Sequence, residues 1–389
     1  MSNFRRIPSR YKSYVGIDLH TTSLAVTVVP DQGDRLQRES IPTHCVGRLE
    51  RFFQGLPRPV CVGIESMGSF YWLWDMLHPM VDELILIDAL DLSKLAPRQA
   101  STDRTIAARI AYVLRDGLVP ASYVPAQHIR HLRQFGRQWH NITETSTTAK
   151  AQIRWQLYQN NCQGPDDLTG ASIQQWLSRY GHTLDPAVFL LIENWENVVL
   201  TAEHIRTVLR REMKAIVQAD PVLTQQLQIV TSTHGIADIL GTIIVAEFAN
   251  FERFRDSDTV ACWTGLTERS HISNRQKYPG RISKAGSSTL RWALCEAAFQ
   301  LTQSDETYQQ MYERLVARTG EKGKARTAMG RRLARYIWKA VVSNTPFRNG
   351  PSRKRTQRAN EVRLRRKRRK DGGAEKERSN AEVVANQDA

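Results

Sequence analysis

Paired cysteine motifs and long apolar runs are both lacking in this chain of 389 residues. Its five cysteines are odd in number and far apart, and no Cys-x-x-Cys pair indicates a zinc site or a redox motif. No stretch approaches the roughly 18 consecutive apolar residues of a membrane span. The basic start is not followed by the apolar segment of a secretory signal. These absences predict a cytoplasmic protein with free thiols and no membrane partner.

Negative charge is in the minority, because 55 lysines and arginines face 39 aspartates and glutamates, for a net charge of +16. Such a surplus favours nucleic acid as a partner, since basic side chains displace the counterions of phosphates. Residues 348–389 hold 14 basic and 6 acidic residues and include the run LRRKRRKDGG. This composition predicts a disordered basic tail that binds phosphates non-specifically.

Strand-like and helix-like runs alternate over the first 125 residues. Residues 14–19, 23–29 and 35–41 are predicted as strands, with a turn at 31–34 that joins the last two. Two short apolar runs at 60–65 and 83–88 predict further strands, and helices are expected at 46–53 and 105–114. The pattern is typical of a mixed α/β layer.

The hydrophobic pattern of the sequence changes after about residue 127, where apolar residues recur at helical spacing within long polar segments. A second, largely helical segment follows, with a glycine-rich interruption between Gly265 and Gly286. Four segments are therefore predicted, namely an α/β domain at 1–126, a helical spacer or coiled coil at 127–220, a mostly α-helical domain at 221–346 and the tail at 347–389.

Three acidic residues of the first domain lie where elements meet. Asp18 and Glu65 end predicted strands, and Asp103 precedes a predicted helix. Carboxylates at the ends of neighbouring strands converge on one sheet edge, where their oxygens can hold Mg²⁺ or Mn²⁺. Taken singly, each acid is also explained as a solvated turn residue. The set of three favours a metal site.

The segments YVGIDLH, GIESMGSFYWLWDML and STDRTIAARIAYVLRDGLVPASYVP resemble the acidic blocks of the DEDD transposases of bacterial insertion sequences. That family consists of recombinases with a RuvC-like (RNase H-like) fold and includes the pilin-gene invertase Piv. The resemblance implies that Asp18, Glu65 and Asp103 are catalytic, metal-binding acids. In the family block the fourth acid stands three residues after the third, and Ile106 occupies that place here.

Isoleucine cannot coordinate a metal, so Ile106 leaves three hypotheses open. Metal binding is weakened, another acid such as Asp88 takes over, or the protein is catalytically dead. With Ile110 and Val113, Ile106 forms an apolar stripe at helical spacing.

The segment from Phe251 to Gln300 resembles the family's C-terminal transposase block. The family places a nucleophilic serine before a Gly-x-Ile-Ser-Lys motif, and the matching position is Ser273. No side chain nearby is an obvious general base, which fits a composite site whose metal comes from the acidic domain. A lone serine in a basic loop is more often a surface hydrogen-bonding residue, and it is the surrounding block that favours catalysis. Basic residues that surround Ser273 in sequence are predicted to bind nucleic acid: Arg269, Arg275, Lys277, Arg281, Lys284 and Arg291.

A second basic segment, residues 320–341, precedes the end of the helical domain. A helix with one basic face can lie along a nucleic-acid backbone, although a solvated face of an ordinary amphipathic helix explains each charge about equally well. The predicted contacts are Lys322, Lys324, Arg331 and Arg332.

The resemblance implies a transposase that joins Ser273 covalently to DNA, works as a homo-oligomer, dimer or tetramer, and is guided by a structured (bridge) RNA. Its substrates are donor and target DNA, and the resemblance implies a bacterial, nucleoid-associated protein. Two alternatives stay open. One is a transposase relic that binds DNA or RNA without catalysis because of Ile106. The other is a metal-dependent nuclease that uses the N-terminal domain alone.

Overall fold

In the computed structural model the chain parts into two units, Met1–Val124 and Pro125–Ala389. The structure describes residues 3–33, 36–66, 68–95, 103–268, 271–273, 276–278 and 281–347. The predicted tail beyond Phe347 lies outside the described residues. Within the described ranges, no helix combines the length and the apolar character that a membrane crossing requires.

A seven-stranded mixed sheet forms the centre of the N-terminal unit, in the order β1-β7-β6-β5-β2-β3-β4. The strands β2, β3 and β4 form an antiparallel meander, and β5 and β6 continue the sheet parallel to β2. The strands are β1 (Asn3–Arg6), β2 (Ser13–Leu19), β3 (Ser23–Pro30), β4 (Gln37–Pro42), β5 (Val60–Glu65), β6 (Glu83–Ile87) and β7 (Leu118–Ser122).

The predicted mixed α/β layer is confirmed, and each predicted strand is present. Two further strands, β1 and β7, were not predicted from the sequence. They pair with each other antiparallel at one side of the sheet. Their sequences explain the omission, because NFRR is mostly polar and LVPAS contains Pro120, which cannot donate to a ladder.

Helices cover both faces of this sheet, and the side chains of β2 and β5 alternate between them. Val15 and Ile17 pack in the apolar cluster that includes Leu49 of α1 and Leu73 of α2. Tyr14 packs in the other cluster, with side chains of α3 and α4. The helices are α1 (Val46–Gln54), α2 (Tyr71–Leu77), α3 (Ala89–Lys94) and α4 (Asp103–Arg115).

Two long helices open the second unit, in the region predicted as a helical spacer. They are α5 (Gln127–Gln159) and α7 (Pro186–Ala219), linked by α6 (Gly170–Tyr180) and a 3₁₀ turn at Gly181–Thr183. The start of α5 shares a cluster with the end of α7, and the later part of α5 shares another with the start of α7, so the two helices form an antiparallel hairpin.

The remaining helices share one apolar cluster with α9, from which Gly241 to Phe248 are all buried. Ile129 and Leu132 of α5 belong to the same apolar cluster, so the base of the hairpin is part of this helical core. A two-stranded hairpin, β8 (His271–Ser273) and β9 (Gln276–Tyr278), interrupts the helices. The helices are α8 (Pro221–Thr231), α9 (Asp238–Phe248), α10 (Ser257–Trp263), α11 (Ser288–Ser304), α12 (Glu306–Thr319) and α13 (Lys322–Val342).

Candidate functional sites

Asp18 and Glu65 lie side by side at the carboxyl ends of two adjacent parallel strands. Ile17 of β2 is in register with Ile64 of β5, so the residue that follows each is one of the two acids. Side chains alternate along a strand, and both acids point to the face opposite Ile17 and Ile64, which is the face covered by α4. We call this pair the carboxylate edge.

The carboxylate edge is poorly solvated. Asp18 is only 2% exposed and Glu65 is half-buried. Burial raises the pKa of Glu65 above its usual value, and the charge of Asp18 and a hydrogen bond with Asp18 raise it further. The side chains of His20 and Arg109 oppose this rise in the pKa of Glu65. Two carboxyl groups this close cannot both ionise freely, so the pair favours a shared proton or a cation.

His20 is a member of this site that was not predicted from the sequence. Its Nε2 lies 3.3 Å from Oδ2 of Asp18, and the side chain is 43% exposed. Arg109 of α4 is a second such residue, because its charge acts on Glu65. The pattern that identifies His20 is its place two residues after Asp18, on the same side of the chain. Arg109 gives no such indication, since only packing of α4 on the sheet brings it near.

The backbone of α4 crosses β2 closely at Gly16. A Cβ on Gly16 would lie 2.7 Å from the amide nitrogen of Ala111 and would overlap the carbonyl oxygen of Ala107. Arg115, the last residue of α4, donates from Nη1 to the carbonyl oxygen of Gly33, 3.2 Å away. Gly33 follows the end of β3, which pairs with the start of β2. The helix therefore runs antiparallel to β2, and its first backbone turn, which begins at Asp103, lies at the end of the sheet that carries Asp18.

Asp103 thus has its backbone at the predicted end of the sheet, while its side chain lies outside the described residues. Ile106, one turn later, is half-buried and packs against the apolar cluster of Ile110, Ala111 and Leu114. The predicted apolar stripe is present, and Ile106, which stands at the position of the family's fourth acid, packs in the apolar core. Among the side chains that the structure describes, no three of His, Cys, Asp or Glu are grouped closely enough to hold a metal ion.

Asp88, the predicted replacement for the fourth acid, follows β6 and caps α3. Its Oδ1 accepts hydrogen bonds from the amides of Leu90 and Asp91, at 3.0 and 3.1 Å. Residue Glu65 pairs with Ile87 in the sheet, so Asp88 lies at the same sheet edge one strand further along. Oδ1 of Asp88 therefore caps the helix, and the role of Asp88 in metal binding stays a prediction.

Ser273 lies at the end of β8, paired in register with Gln276 of β9. It is the last pair before the turn, whose residues 274 and 275 lie outside the described ranges, so Ser273 is placed near the tip of a short hairpin. Its backbone is described and its side chain is not. A bridge between Glu268 and Ile282 continues the hairpin pairing toward its base.

The predicted nucleic-acid contacts around this hairpin fall into three groups. Arg281 and Lys284 are exposed, as such contacts require. The partly exposed Arg291 donates from Nη1 to the carbonyls of residues 284, 285 and 286. The remaining members lie outside the residues whose side chains are described: Arg269, Arg275 and Lys277.

The second predicted group lies on α13. Lys322 is exposed and Arg331 is half-buried. Lys324 pairs with Glu321 at 2.7 Å, both side chains being more than half exposed, so this ion pair is weak and leaves the lysine accessible. Arg332 donates to the hydroxyl of Tyr336 at 2.6 Å, and its guanidinium lies 5.3 Å from the centre of that ring.

Comparison with known proteins gives matches in both units. A profile described as a transposase, of the DEDD type of the IS110 group, matches residues 15–161. A second profile, described as the transposase IS116/IS110/IS902 family, matches residues 227–313. The first contains the carboxylate edge and Asp103, and the second contains Ser273 and Arg291.

One curated relative is a protein of Pseudomonas aeruginosa named "Probable family 20 transposase". It is 26% identical over 145 residues, which are 36% of this chain and 42% of that protein. The chain thus spans about two fifths of the length of this relative.

Proposed function

Because this chain belongs to the IS110 family of transposases, we propose that it is a DNA recombinase that cuts and rejoins DNA through Ser273 with the help of the carboxylate edge. The observation that carries this proposal is the side-by-side placement of the buried Asp18 and the half-buried Glu65 at the ends of adjacent parallel strands. Its N-terminal unit is assigned a RuvC-like fold, and residues 127–220 and 221–346 are assigned as spacer and serine domain.

The carboxylate edge fits a divalent cation. Two adjacent carboxyl groups in a poorly solvated place, one with a raised pKa, are expected to bind a hard cation such as Mg²⁺ or Mn²⁺ in place of protons. Asp18 and Glu65 would hold the ion, with Asp103 as the third acid by the resemblance. When bound, such an ion polarises the phosphoryl oxygen and stabilises the negative charge of the reacting phosphate. His20 orients the carboxylate of Asp18.

Ser273 is assigned as the nucleophile. Its Oγ forms a bond to phosphorus while the bond from phosphorus to the 3′-oxygen breaks, which leaves a 5′-phosphoserine and a free 3′-hydroxyl. The serine proton passes, directly or through water, to the 3′-oxygen that leaves. In the second step a 3′-hydroxyl of the partner strand attacks the phosphoserine, the new phosphodiester forms and the serine hydroxyl is restored. No energy source is needed, since one ester bond replaces another.

Arg281 and Lys284 support this assignment, because both are exposed cations at the base of the hairpin that carries Ser273. Cations near the nucleophile hold the phosphate and stabilise the added charge of its transition state. Donor and target DNA are therefore the proposed substrates. A homo-oligomer and a structured guide RNA belong to the proposal through the family resemblance.

A transposase relic is the second candidate, and Ile106 is the observation that favours it. This residue is half-buried in the apolar cluster beneath α4, so the place of the fourth acid is filled by core packing. A relic binds nucleic acid through the basic surface but forms no covalent adduct.

A denaturing gel experiment distinguishes the recombinase from the relic. The protein is incubated with DNA that carries the ends of its element, with Mg²⁺ and with RNA co-expressed from the same element, and the gel is scored for a covalent protein-DNA band. The variants are Ser273→Ala, Asp18→Asn and, as a matched control, Ser178→Ala, which changes an exposed serine of α6.

The recombinase proposal expects a band for the parent and for Ser178→Ala, and no band for Ser273→Ala or Asp18→Asn. A band that persists in Ser273→Ala contradicts the assigned nucleophile. DNA cutting that survives Ser273→Ala but not Asp18→Asn identifies a metal-dependent nuclease that uses the N-terminal unit alone. DNA binding by the parent without any band or cutting identifies the relic.

A further inference from the structure

One guanidinium nitrogen of Arg291 donates hydrogen bonds to backbone carbonyls. Its Nη1 lies 3.1 Å from the carbonyl oxygens of Lys284 and Ala285, and 2.9 Å from that of Gly286. This nitrogen carries two protons, so the three carbonyls share them in a bifurcated arrangement. Arg291 lies in the first turn of α11, where its amide bonds the carbonyl of Ser287. The side chain thus ties a loop, residues 282–287, to the start of a helix.

The backbone of this loop is confined from its other side as well. Lys284 has a φ of 52° and Gly286 a φ of 75°, both in the left-handed region. Left-handed backbone is unfavourable for lysine unless surrounding contacts hold it. Gly265, also left-handed, approaches Ala285 so closely that a Cβ would overlap the carbonyl of Ala285. The amide of Lys284 donates to the carbonyl of Gly265 at 3.1 Å.

The same loop is the base of the hairpin that carries Ser273. The amide of Ser283 donates to the carbonyl of Thr267 at 2.8 Å, and Ile282 bridges Glu268. Beyond this bridge the chain enters β8 and returns through β9. A two-stranded hairpin is marginally stable without support. Whatever holds the loop 282–287 therefore decides the position of the hairpin.

We infer that Arg291 is a positioning residue, which fixes the loop 282–287 and through it the placement of Ser273 and Lys284 on the reacting phosphate. This inference rests on the proposed function, and it changes the role predicted for Arg291 from a phosphate contact to a clamp on three carbonyls. Loss of the clamp is expected to slow the covalent step while leaving DNA affinity nearly unchanged, because misplacement of a nucleophile by about 1 Å costs about 100-fold in rate.

The test uses the full chain with Arg291→Met, and Arg314→Met as the matched control. Arg314 is an exposed arginine of α12 that bonds the carbonyl of Gln310 in its own helix. Two quantities are measured, namely the rate of adduct formation as a function of DNA concentration and the hydrogen exchange of the amides of β8, β9 and α9. The buried helix α9 reports whether the variant is folded.

For Arg291→Met we expect faster exchange in β8 and β9, unchanged exchange in α9, and an adduct rate at saturating DNA reduced by about 100-fold. The half-saturating DNA concentration should stay near that of Arg314→Met. Arg291→Lys, whose ammonium keeps three donors, is expected to recover part of the lost protection.

The opposite pattern overturns the inference. If Arg291 binds phosphate instead, Arg291→Met raises the half-saturating DNA concentration and lowers the slope of log affinity against log salt concentration by about one. In that case the adduct rate at saturating DNA and the hydrogen exchange of β8 and β9 stay unchanged. Failure of the proposed function is a different result. An adduct that persists in Ser273→Ala removes the nucleophile, while the exchange of β8 and β9 still reports whether Arg291 clamps the loop.

Discussion

At the scale of single residues, the pairing of Asp18 with Glu65 is chemically costly without a counter-charge. Asp18 is buried and Glu65 is half-buried on the face of the sheet that α4 covers, where solvent stabilises two negative charges poorly. Arg109 supplies positive charge, and the ring of His20 lies 3.3 Å from Asp18. Apolar side chains would stabilise a purely structural sheet edge better than such a pair, so its presence supports a role in binding a cation.

Ile106 gives the first residue-scale prediction. In Ile106→Asp the new carboxylate is expected to tighten Mn²⁺ binding measured by titration calorimetry, and to lower the free energy of unfolding by about 2 kcal/mol because it enters an apolar cluster. The control is Val113→Asp, at a half-buried position two turns later on α4 that packs in the same cluster. It should cost similar stability without tightening Mn²⁺ binding. Equal affinities for the two variants would contradict a missing ligand at Ile106.

Asp220 gives a residue-scale prediction of pH dependence. It caps α8 by accepting from the amides of Val222 and Leu223, at 2.8 and 3.1 Å, and it lies 3.0 Å from Nε2 of His128. Burial alone raises the pKa of Asp220, but the bonds from Leu223, His128 and Val222 outweigh burial and hold the pKa below its usual value.

Asp220→Ala is expected to lower the free energy of unfolding by about 1 kcal/mol at neutral pH. A carboxyl with a lowered pKa in the fold stabilises it fully above the unfolded-state value of about 3.9, and that stabilisation is lost as the pH falls through the folded-state pKa. Urea unfolding of parent and variant should therefore converge in acid. Asp220→Asn keeps a capping oxygen and should lose less at neutral pH; a difference between parent and Asp220→Ala that stays constant into acid would refute the assignment.

At the scale of elements, the crossing of α4 over the sheet brings the site together. Gly16 and Gly63 leave room for this helix, because a Cβ on Gly63 would lie 2.6 Å from Cγ2 of Ile110. Small residues at a crossing let helix and strand backbones approach. The direction of α4 then carries its first turn to the carboxylate edge, and its apolar stripe, which includes Ile106, into the core.

Gly16→Ala tests this crossing. The added methyl group meets the backbone of Ala107 and Ala111, which cannot move aside as a flexible side chain can, so a loss of about 1–3 kcal/mol in the free energy of unfolding is expected. Gly47→Ala in α1 is the matched control, since its Cβ would meet nothing within 4 Å, and a gain of about 0.5 kcal/mol is expected there. Equal thermal unfolding of the two variants would show that α4 does not lie this close to β2.

At the scale of the whole molecule, the residues of the proposed site are divided between the two units. The N-terminal unit carries the acids, and the second unit carries Ser273 and the exposed cations Arg281, Lys284 and Lys322. The apolar core of the second unit also includes the base of the long hairpin, where Arg137 of α5 holds the buried Glu247 of α9 by two bonds, at 2.8 and 3.1 Å. The α5–α7 hairpin is thus fixed to the helical core of the second unit.

The charge of the tail gives the prediction at this scale. Removal of residues 348–389 takes away 14 basic residues, so non-specific DNA affinity should fall and the dependence of binding on salt should become shallower. The adduct rate at saturating DNA should stay unchanged, because the proposed catalytic groups lie elsewhere. Fluorescence anisotropy over a series of salt concentrations measures both effects, and replacing the basic residues of LRRKRRK by glutamine is the control for chain length. An unchanged salt dependence would rule out the tail as a phosphate contact.

The sequence by itself determined the mixed α/β layer, the helical remainder and the family of this protein. The short apolar, β-branched runs of β2 and β5 and the helical periodicity in α7 are local properties, set by the order of side chains along the chain. The motifs around Asp18 and Ser273 are equally local, so they were readable without a structure. Strands β1 and β7 were missed because their residues acquire a strand conformation only from each other and from β6.

Only the tertiary structure decided which side chains meet. The register of β2 with β5 places Asp18 beside Glu65, although 46 residues separate the two along the chain. Arg109 reaches this pair, and Arg291 reaches three carbonyls of its own loop, through packing that no spacing in the sequence encodes. Electrostatic and hydrogen-bond contacts depend on distance in space, and the fold alone sets those distances.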